Sequence, residues 1–459
     1  MCASPARDGP HGAALPAVSA RVVSRSAQPH ILPRPALAAA RVLLLDVTAL
    51  AEQAASAGAK VGISTELAVC GYPPRDLLME RDFVERSMHA ALHLSTPIPV
   101  LVGAPIPAED ERTLPTNGVV RSGPDATSIT NDEHGRVVAE KQLLPTYDVF
   151  DEARYFAAKN RSGLARSFGG LTLGVTVCED AWQSAGMTPS SYAQDPIEHI
   201  AEWTRQGVDI NATVNLSASP FHTEKFTTRL AVARHAAAVL NHPFLLANQV
   251  GGNDDLLFDG RSLVVWPDGR AVVAPSWQEG VLVVDLEDAH ACTWVPSQAD
   301  DALCIGSSTL MVLESGDDGS SFVDTIEELT NAVVTGLADY CRKSSIGSIV
   351  LGLSGGIDSA VAACVAAEAI GPENVTGLAM PSRHSSQHSI DDALHTAQAL
   401  GMQHHLHPID AMHTSVEATL EDVFATGHPV AGENLQARLR AIIVMGYANA
   451  NGKIGRAHV

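Results

Sequence analysis

One stretch limits the fold of this chain more than any other. Ile349-Val-Leu-Gly-Leu353 is a short apolar run, Ser354-Gly355-Gly356 breaks it, and Ile357-Asp358-Ser359 opens a helical pattern. A strand that breaks on paired glycines and turns into a helix brings backbone amides and a helix N-terminus to one point, where an anion is stabilised. Ser354 and Ser359 add hydroxyl donors, and Asp358 can hold Mg2+. The GxxxxGK[ST] pattern, whose lysine reaches the β- and γ-phosphates, is absent. The turn therefore reads as a grip on pyrophosphate rather than a device for moving a γ-phosphate. The plainer alternative is an ordinary glycine-rich turn.

Around this turn the pattern alternates regularly: a helix at 321–341, a strand at 348–353, a helix from Asp358, a strand at 375–380, a helix at 387–400, a strand at 403–409 and a helix at 432–450. Strands alternating with crossover helices predict a doubly wound parallel sheet over residues 319–459. Residues 286–318 cluster Asp, Ser, Gly and Pro and read as a linker. Residues 46–285 mix a first helix at 46–58, short apolar runs (among them 61–64, 98–102, 117–121, 171–177 and 244–249), hairpin turns at 132–135 and 267–269, and helices near 195–206 and 223–239. That mixture predicts a layered α/β or α+β domain. Residues 1–45 carry five arginines and one acidic residue among many Ala and Pro. Such a start can be a transit peptide, but the prolines interrupt any amphipathic helix, so we expect a disordered or irregular extension.

Charge and cysteine usage narrow the function. Lys and Arg number 30 against 52 Asp and Glu, a formal net charge of −22, so the surface repels phosphodiester backbones and anionic lipid. That argues against nucleic-acid or membrane-surface partners, and no apolar run approaches the roughly 18 residues of a membrane span. The seven cysteines form neither CxxC pairs nor a dense disulfide ladder. A reducing cytoplasm fits them best, and a single reactive thiol becomes worth seeking.

Cys178 is the strongest candidate, because it closes the apolar run Leu171–Val177 at a turn, where a nucleophile is exposed on a rigid support. A buried structural cysteine is the commoner fate of that residue type. Amide hydrolysis by a thiol also needs a base and a donor for the oxyanion. Glu66, at the end of a strand before Gly71-Tyr-Pro-Pro74, is a candidate base, and Lys141, after Val137-Val-Ala-Glu140, a candidate oxyanion partner. Singly, each is more commonly a surface charge than a catalytic group.

Longer stretches resemble known families. Ser354–Ser359 resembles the SGGxDS loop of N-type ATP pyrophosphatases. Met380-Pro-Ser-Arg-His-Ser-Ser-Gln-His-Ser-Ile-Asp-Asp-Ala393 is similar to the MPSxYSSxxSxxDA segment of NAD synthetases, with His384 where tyrosine is usual, and Glu433-Asn-Leu-Gln-Ala-Arg-Leu-Arg440 to their ENxQARxR helix. The resemblance implies that Gly352, Leu353, Ser354, Gly355, Gly356, Ile357, Asp358 and Ser359 bind ATP, with Mg2+ on Asp358, and that Asn434 contacts deamido-NAD+. The stretches 66–77, 140–152 and 177–182 resemble the catalytic segments of nitrilase-like amidases, most closely the glutaminase domain fused to NAD synthetases. By that resemblance Cys178 attacks the side-chain amide of L-glutamine, Glu66 is the general base and Lys141 supports the oxyanion. Tyr147, Ser219 and Lys225 are implied glutamine contacts.

The fold implied is an αββα nitrilase-like sandwich followed by a doubly wound parallel-sheet domain of the adenine nucleotide alpha hydrolase type. The activity implied is that of a glutamine-hydrolysing NAD+ synthetase acting on L-glutamine, deamido-NAD+ and ATP, as a homo-oligomer. A stand-alone amidase with a vestigial nucleotide domain and a non-catalytic interaction protein are the alternatives. Three departures shape the expectations. No IALAQxNPTVGD-like first strand is found in residues 1–45, Gly62-Ile-Ser-Thr-Glu66 stands where VFPE is usual, and the chain ends before a TGNKSE segment. From the last we expect a synthetase domain without its final helices, giving detectable glutaminase and weak or absent synthetase activity.

Overall fold

The computed structural model describes residues 17–22, 47–110, 112–124, 136–159, 163–189, 191–298, 305–306, 308–323, 325–424, 429–452 and 454–456. The expected turn at 132–135 lies outside them. The chain divides into two compact units. The first takes the residues up to Val250 together with Phe258–Val323, and the second takes Gly251–Leu257 and the residues after 323.

In chain order the first unit's strands begin with β1 (Ala17–Val22), β2 (Ala59–Ile63), β3 (Val100–Ile106), β4 (Thr116–Ser122), β5 (Val137–Glu140), β6 (Gly163–Phe168), β7 (Leu171–Val177), β8 (Ala212–Ser217) and β9 (Phe244–Asn248). After the paired β10 (Val250–Asn253) and β11 (Leu256–Asp259) come β12 (Leu263–Val265), β13 (Ala271–Val273), β14 (Gly280–Asp285), β15 (Thr293–Pro296) and β16 (Met311–Leu313). They build two seven-stranded sheets, ordered β15-β14-β1-β2-β3-β4-β5 and β16-β13-β12-β9-β8-β7-β6.

Side-chain alternation along the strands separates the layers. Val61, Ile63, Leu101 and Leu282 of the first sheet meet Leu173, Val175, Val214 and Leu245 of the second in one core. The next residues along, Val100, Val102 and Ala104, turn outward onto helix α1 (47–56) and α2 (Arg81–Leu92). Phe244 and Leu246 do the same against α3 (Pro196–Arg205) and α4 (Lys225–Leu240). The result is an αββα sandwich, and because both sheet faces are covered, inner strands such as β3 and β12 read as unbroken apolar runs.

Two expectations are corrected here. Ala17–Val22 lies within the stretch expected to be irregular, yet it forms β1 in the middle of the first sheet, parallel to β2 and antiparallel to β14. Its Ala, Ser and Arg residues carry no strand signature, and the ladder partners supply what the sequence does not. The expected linker 286–318 is also part of the sandwich, since β15 and β16 each add an edge strand, one per sheet.

The second unit holds β17 (Ile349–Leu353), β18 (Val375–Ala379), β19 (Gln403–Leu406) and β20 (Ile454–Arg456) in one parallel sheet of order β19-β18-β17-β20. Helices α5 (Thr325–Lys343), α6 (Ile357–Ile370) and α7 (Gln387–Leu400) pack on one face around Leu351, Ala363 and Ala397. After α8 (Asp410–Thr419) and α9 (Glu421–Phe424), α10 (Pro429–Asn451) covers the other face through Val444 and Ala448. The strand order reverses beside β17, so the crevice at that strand's C-terminal end is the switch point where such folds take ligands. Among the described residues no helix is long and apolar enough to cross a membrane.

Leu173 is fully buried between the two sheets. Leu173→Ala leaves a cavity there and is expected to lower the unfolding free energy by about 2–5 kcal/mol, measured by urea titration.

Candidate functional site

Four strand ends converge in the first unit. Glu66 lies just beyond β2 and Lys141 directly after β5, both in the first sheet, while Cys178 follows β7 and Ser219 follows β8 in the second. Strand β3 passes so close to the Glu66 turn that a Cβ on Gly103 would stand 2.4 Å from the Thr65 carbonyl oxygen. Only glycine lets the two backbones approach this far.

The Lys141 ammonium is completely buried and lies 2.8 Å from Glu66 Oε1 and 2.7 Å from Glu152 Oε1. Burial by itself lowers an ammonium's pKa, but Glu152 and Glu66 outweigh it and hold Lys141 well above its usual value. Glu66 Oε1 also accepts from Asn117 Nδ2 at 2.7 Å, and its Oε2 accepts from the Ala218 amide at 2.9 Å. Glu152 accepts a further hydrogen bond from the Tyr72 hydroxyl at 2.8 Å. Burial lifts the Glu152 carboxyl from the ordinary 4.5 to about 7, against the pull of Lys141. A cavity of about 210 Å³, bordered by Tyr72, Arg75, Asp151, Glu152 and Tyr155, touches the Tyr72–Glu152 edge of this cluster.

Cys178 sits on a sharp elbow. Its φ is +43°, in the left-handed region that a Cβ disfavours, and it opens the 3₁₀ turn Cys178–Ala181 directly after β7. Such strain costs of order 1 kcal/mol and persists where the surroundings over-determine it. Asp180 supplies that constraint. Its Oδ2 accepts from the Val177 amide, and its Oδ1 from the amides of Gln142 and Leu143, so one carboxylate ties the elbow to the segment after Lys141. Burial raises the Asp180 carboxyl to about 7 in spite of these donors. For the thiol itself, burial and then Glu66 push its pKa well above the ordinary value, with Lys141 pulling the other way. The thiol is therefore held protonated at neutral pH and needs a base before it can attack.

Beside the elbow, the Tyr147 hydroxyl donates to both oxygens of Glu179, at 2.9 and 3.1 Å, and Tyr192 to one at 3.3 Å. Lys225 Nζ lies 4.4 Å from the Trp182 ring centroid, and Ser219 is buried. In the second unit the loop after β17 closes on itself. The Ser354 amide donates to Ser359 Oγ, the Gly356 amide to Ser354 Oγ, and Ser359 Oγ to the Gly356 carbonyl. Gly352 and Leu353 end the strand, Gly356 caps α6, and Ile357 and Asp358 are exposed in its first turn. Among the described residues no cluster of three or more acidic, histidine or cysteine side chains could hold a metal by itself. A lone Asp358 carboxylate beside a glycine turn at a helix N-terminus fits the mode in which Mg2+ is held by one carboxylate together with phosphates. Asn434 is exposed on α10, and its side chain makes no described contact with the loop.

The carbon-nitrogen hydrolase family matches residues 26–294, and the NAD synthase family residues 329–455. A glutamine-dependent NAD(+) synthetase from Synechocystis is 37% identical over 416 residues, covering 89% of this chain and 69% of that protein. The chain belongs to the glutamine-dependent NAD(+) synthetase family. A relative from Rhodobacter capsulatus is 36% identical over 407 residues, with 86% of this chain and 65% of its own length covered. The structure of the Acinetobacter baumannii glutamine-dependent NAD+ synthetase, in complex with ADP, superposes over 96% of this chain and 73% of that one, with a TM-score of 0.74 at 26% identity.

For a chain of this synthetase family, the sequence reading left out several residues that the structure brings to the site. Glu152 closes an acidic, surface-like run, and only tertiary packing reveals that it is buried against Lys141. Asn117 lies inside β4, Thr-Asn-Gly-Val-Val-Arg-Ser, where nothing distinguishes it from the strand's other polar residues. Asp180 and Glu179 flank Cys178 and were legible only as part of its motif.

The sign of the Glu152 effect is fixed by its two protonation constants. Folded, it takes up its proton near pH 7; unfolded, near 4.5. The stability this carboxyl contributes is thus present below about 4.5 and is lost as pH rises through about 7. Unfolding free energy of the native chain minus that of Glu152→Gln is expected to fall across this window with a slope approaching about 1.4 kcal/mol per pH unit. Denaturant melts at several pH values measure it, and a flat difference contradicts the burial argument.

Proposed function

We propose that this chain hydrolyses L-glutamine in its first unit and uses the ammonia, in its second, to amidate deamido-NAD+ at the expense of ATP. The observation that carries the reading is the buried Lys141 ammonium shared by Glu66 and Glu152 beside the strained Cys178 elbow. Glu66 takes the thiol proton as Cys178 Sγ attacks the glutamine side-chain carbon, which activates a thiol that burial otherwise keeps neutral. Two of the three ammonium protons of Lys141 go to carboxylates, and the third meets the developing oxyanion. The tetrahedral species collapses as Glu66 returns its proton to the departing nitrogen, releasing ammonia and leaving a thioester. Water, deprotonated by Glu66, then displaces the thiol and yields glutamate. Tyr147, Ser219 and Lys225 hold the glutamine.

In the second unit the Gly352–Ser359 loop and the α6 N-terminus bind ATP, Asp358 holds the accompanying Mg2+, and Asn434 contacts deamido-NAD+. The carboxylate of the dinucleotide takes the adenylyl group with loss of pyrophosphate, and ammonia displaces AMP to form NAD+. The five described free thiols suit a reducing cytoplasm, and a homo-oligomer is the expected assembly.

Glutamate release from glutamine tests the first half. Cys178→Ala is expected to lower it by at least about 10³-fold, and an unaffected rate refutes the assignment. Release of pyrophosphate matched to NAD+ formation, on supplying ATP and deamido-NAD+, tests the second. Glutamate release without it leaves a glutaminase alone. Within the loop, Gly355 has φ +76°, and a Cβ there would stand 2.3 Å from the Ser389 carbonyl oxygen. Gly355→Ala is expected to weaken ATP binding by about tenfold or more in titration calorimetry while glutaminase activity is kept.

A further inference from the structure

The base Glu66 depends on a turn, 217–219, that is itself held from behind. Ala218 N–H is the donor to Glu66 Oε2. On the next peptide along, Ser219 N–H donates to Asn248 Oδ1 at 2.9 Å, and the Ser219 carbonyl accepts a long contact from Arg229 Nη2 at 3.5 Å. Asn248, at the end of β9, is oriented in turn, for its Nδ2 donates to the Gly260 carbonyl at 2.9 Å and approaches Asp259 Oδ1 at 3.4 Å. Asp259 is anchored by Arg229, with Nη2 to Oδ1 at 2.9 Å and Nη1 to Oδ2 at 3.3 Å, and both side chains are essentially excluded from water.

A fully buried ion pair is weak evidence of stabilisation, because desolvation offsets most of its attraction. Its placement is therefore the informative feature. The Gly260 carbonyl and Asp259 orient the Asn248 amide, and that amide holds the Ala218–Ser219 peptide, the neighbour of the one that presents Ala218 N–H to the base. Resting on the proposed function, we infer that Asn248, held by the Asp259–Arg229 pair, is a positioning residue for Glu66, acting through the Ala218–Ser219 peptide.

A merely structural role would not move the pH behaviour of Cys178, whereas a positioning role does. With the turn released, the ionised form of Glu66 loses one of its three donors, so the limb belonging to the Cys178–Glu66 pair moves up. The test follows alkylation of Cys178 by iodoacetamide against pH in the full chain, resolved from the other cysteines by peptide mass spectrometry. In Asn248→Ala and Arg229→Lys, both checked for cooperative melting, the limb is expected about one pH unit higher, with alkylation below it unchanged and glutaminase kcat on the acid side lowered about tenfold. Folded variants with the native limb overturn the proposal. Should either variant fail to fold, hydrogen exchange of the unmodified chain decides, because amides 218 and 219 exchanging as fast as open loop also overturn it. If the native chain does not hydrolyse glutamine yet the limb moves, the proposed function fails and the positioning role stands.

Discussion

A lysine ammonium with no access to water is tolerated only where carboxylates surround it, and Lys141 meets two of them within 2.8 Å. That requirement organises the first unit. Glu66 arrives from the end of β2, Lys141 from the end of β5 and Glu152 from the loop beyond, so the charged cluster forms only once the first sheet is assembled. The cluster carries two carboxyls for one cation. Burial above all, with Glu66 adding to it and Lys141 pulling the other way, lifts the Glu152 carboxyl to about 7 and holds the Cys178 thiol well above its ordinary value. The same burial thus favours the protonated form of both groups.

The second sheet contributes rigidity rather than charge. Cys178 adopts a positive φ because β7 ends there and Asp180 pins the elbow through three backbone amides, one of them on each of Val177, Gln142 and Leu143. The Ala218 amide reaches across from β8 to Glu66, so the two sheets are joined at the site by hydrogen bonds as well as by the apolar core between them. The second unit follows a different logic, in which little is buried at the site. Ser354 and Ser359 bond to each other and accept from the Ser354 and Gly356 amides, shaping the turn that leads into the N-terminus of α6.

How far all this could be read beforehand follows from how local each signal is. The 349–360 turn was legible because its chemistry lies within twelve consecutive residues, and β7 and α7 have the bounds that their apolar patterns predicted. Cys178, Glu66 and Lys141 were legible through the residues flanking them. β1 was not, since Ala-Val-Ser-Ala-Arg-Val owes its place to neighbours on both sides. The edge strands β15 and β16 were hidden because Thr-Trp-Val-Pro and Met-Val-Leu are only four and three residues long and stand among Asp, Ser and Gly clusters. Glu152, Asn248 and Arg229 escaped for the same reason as each other, because a polar residue buried by partners distant in sequence has no local mark.

The most direct measurement of the central claim labels the thiol with a glutamine analogue carrying a chloroketone in place of its amide. The account predicts modification at Cys178, slowed by added glutamine, and at least about 100-fold slower in Lys141→Met. Modification of the Lys141→Met chain at the native rate, or labelling centred on another cysteine, would contradict it.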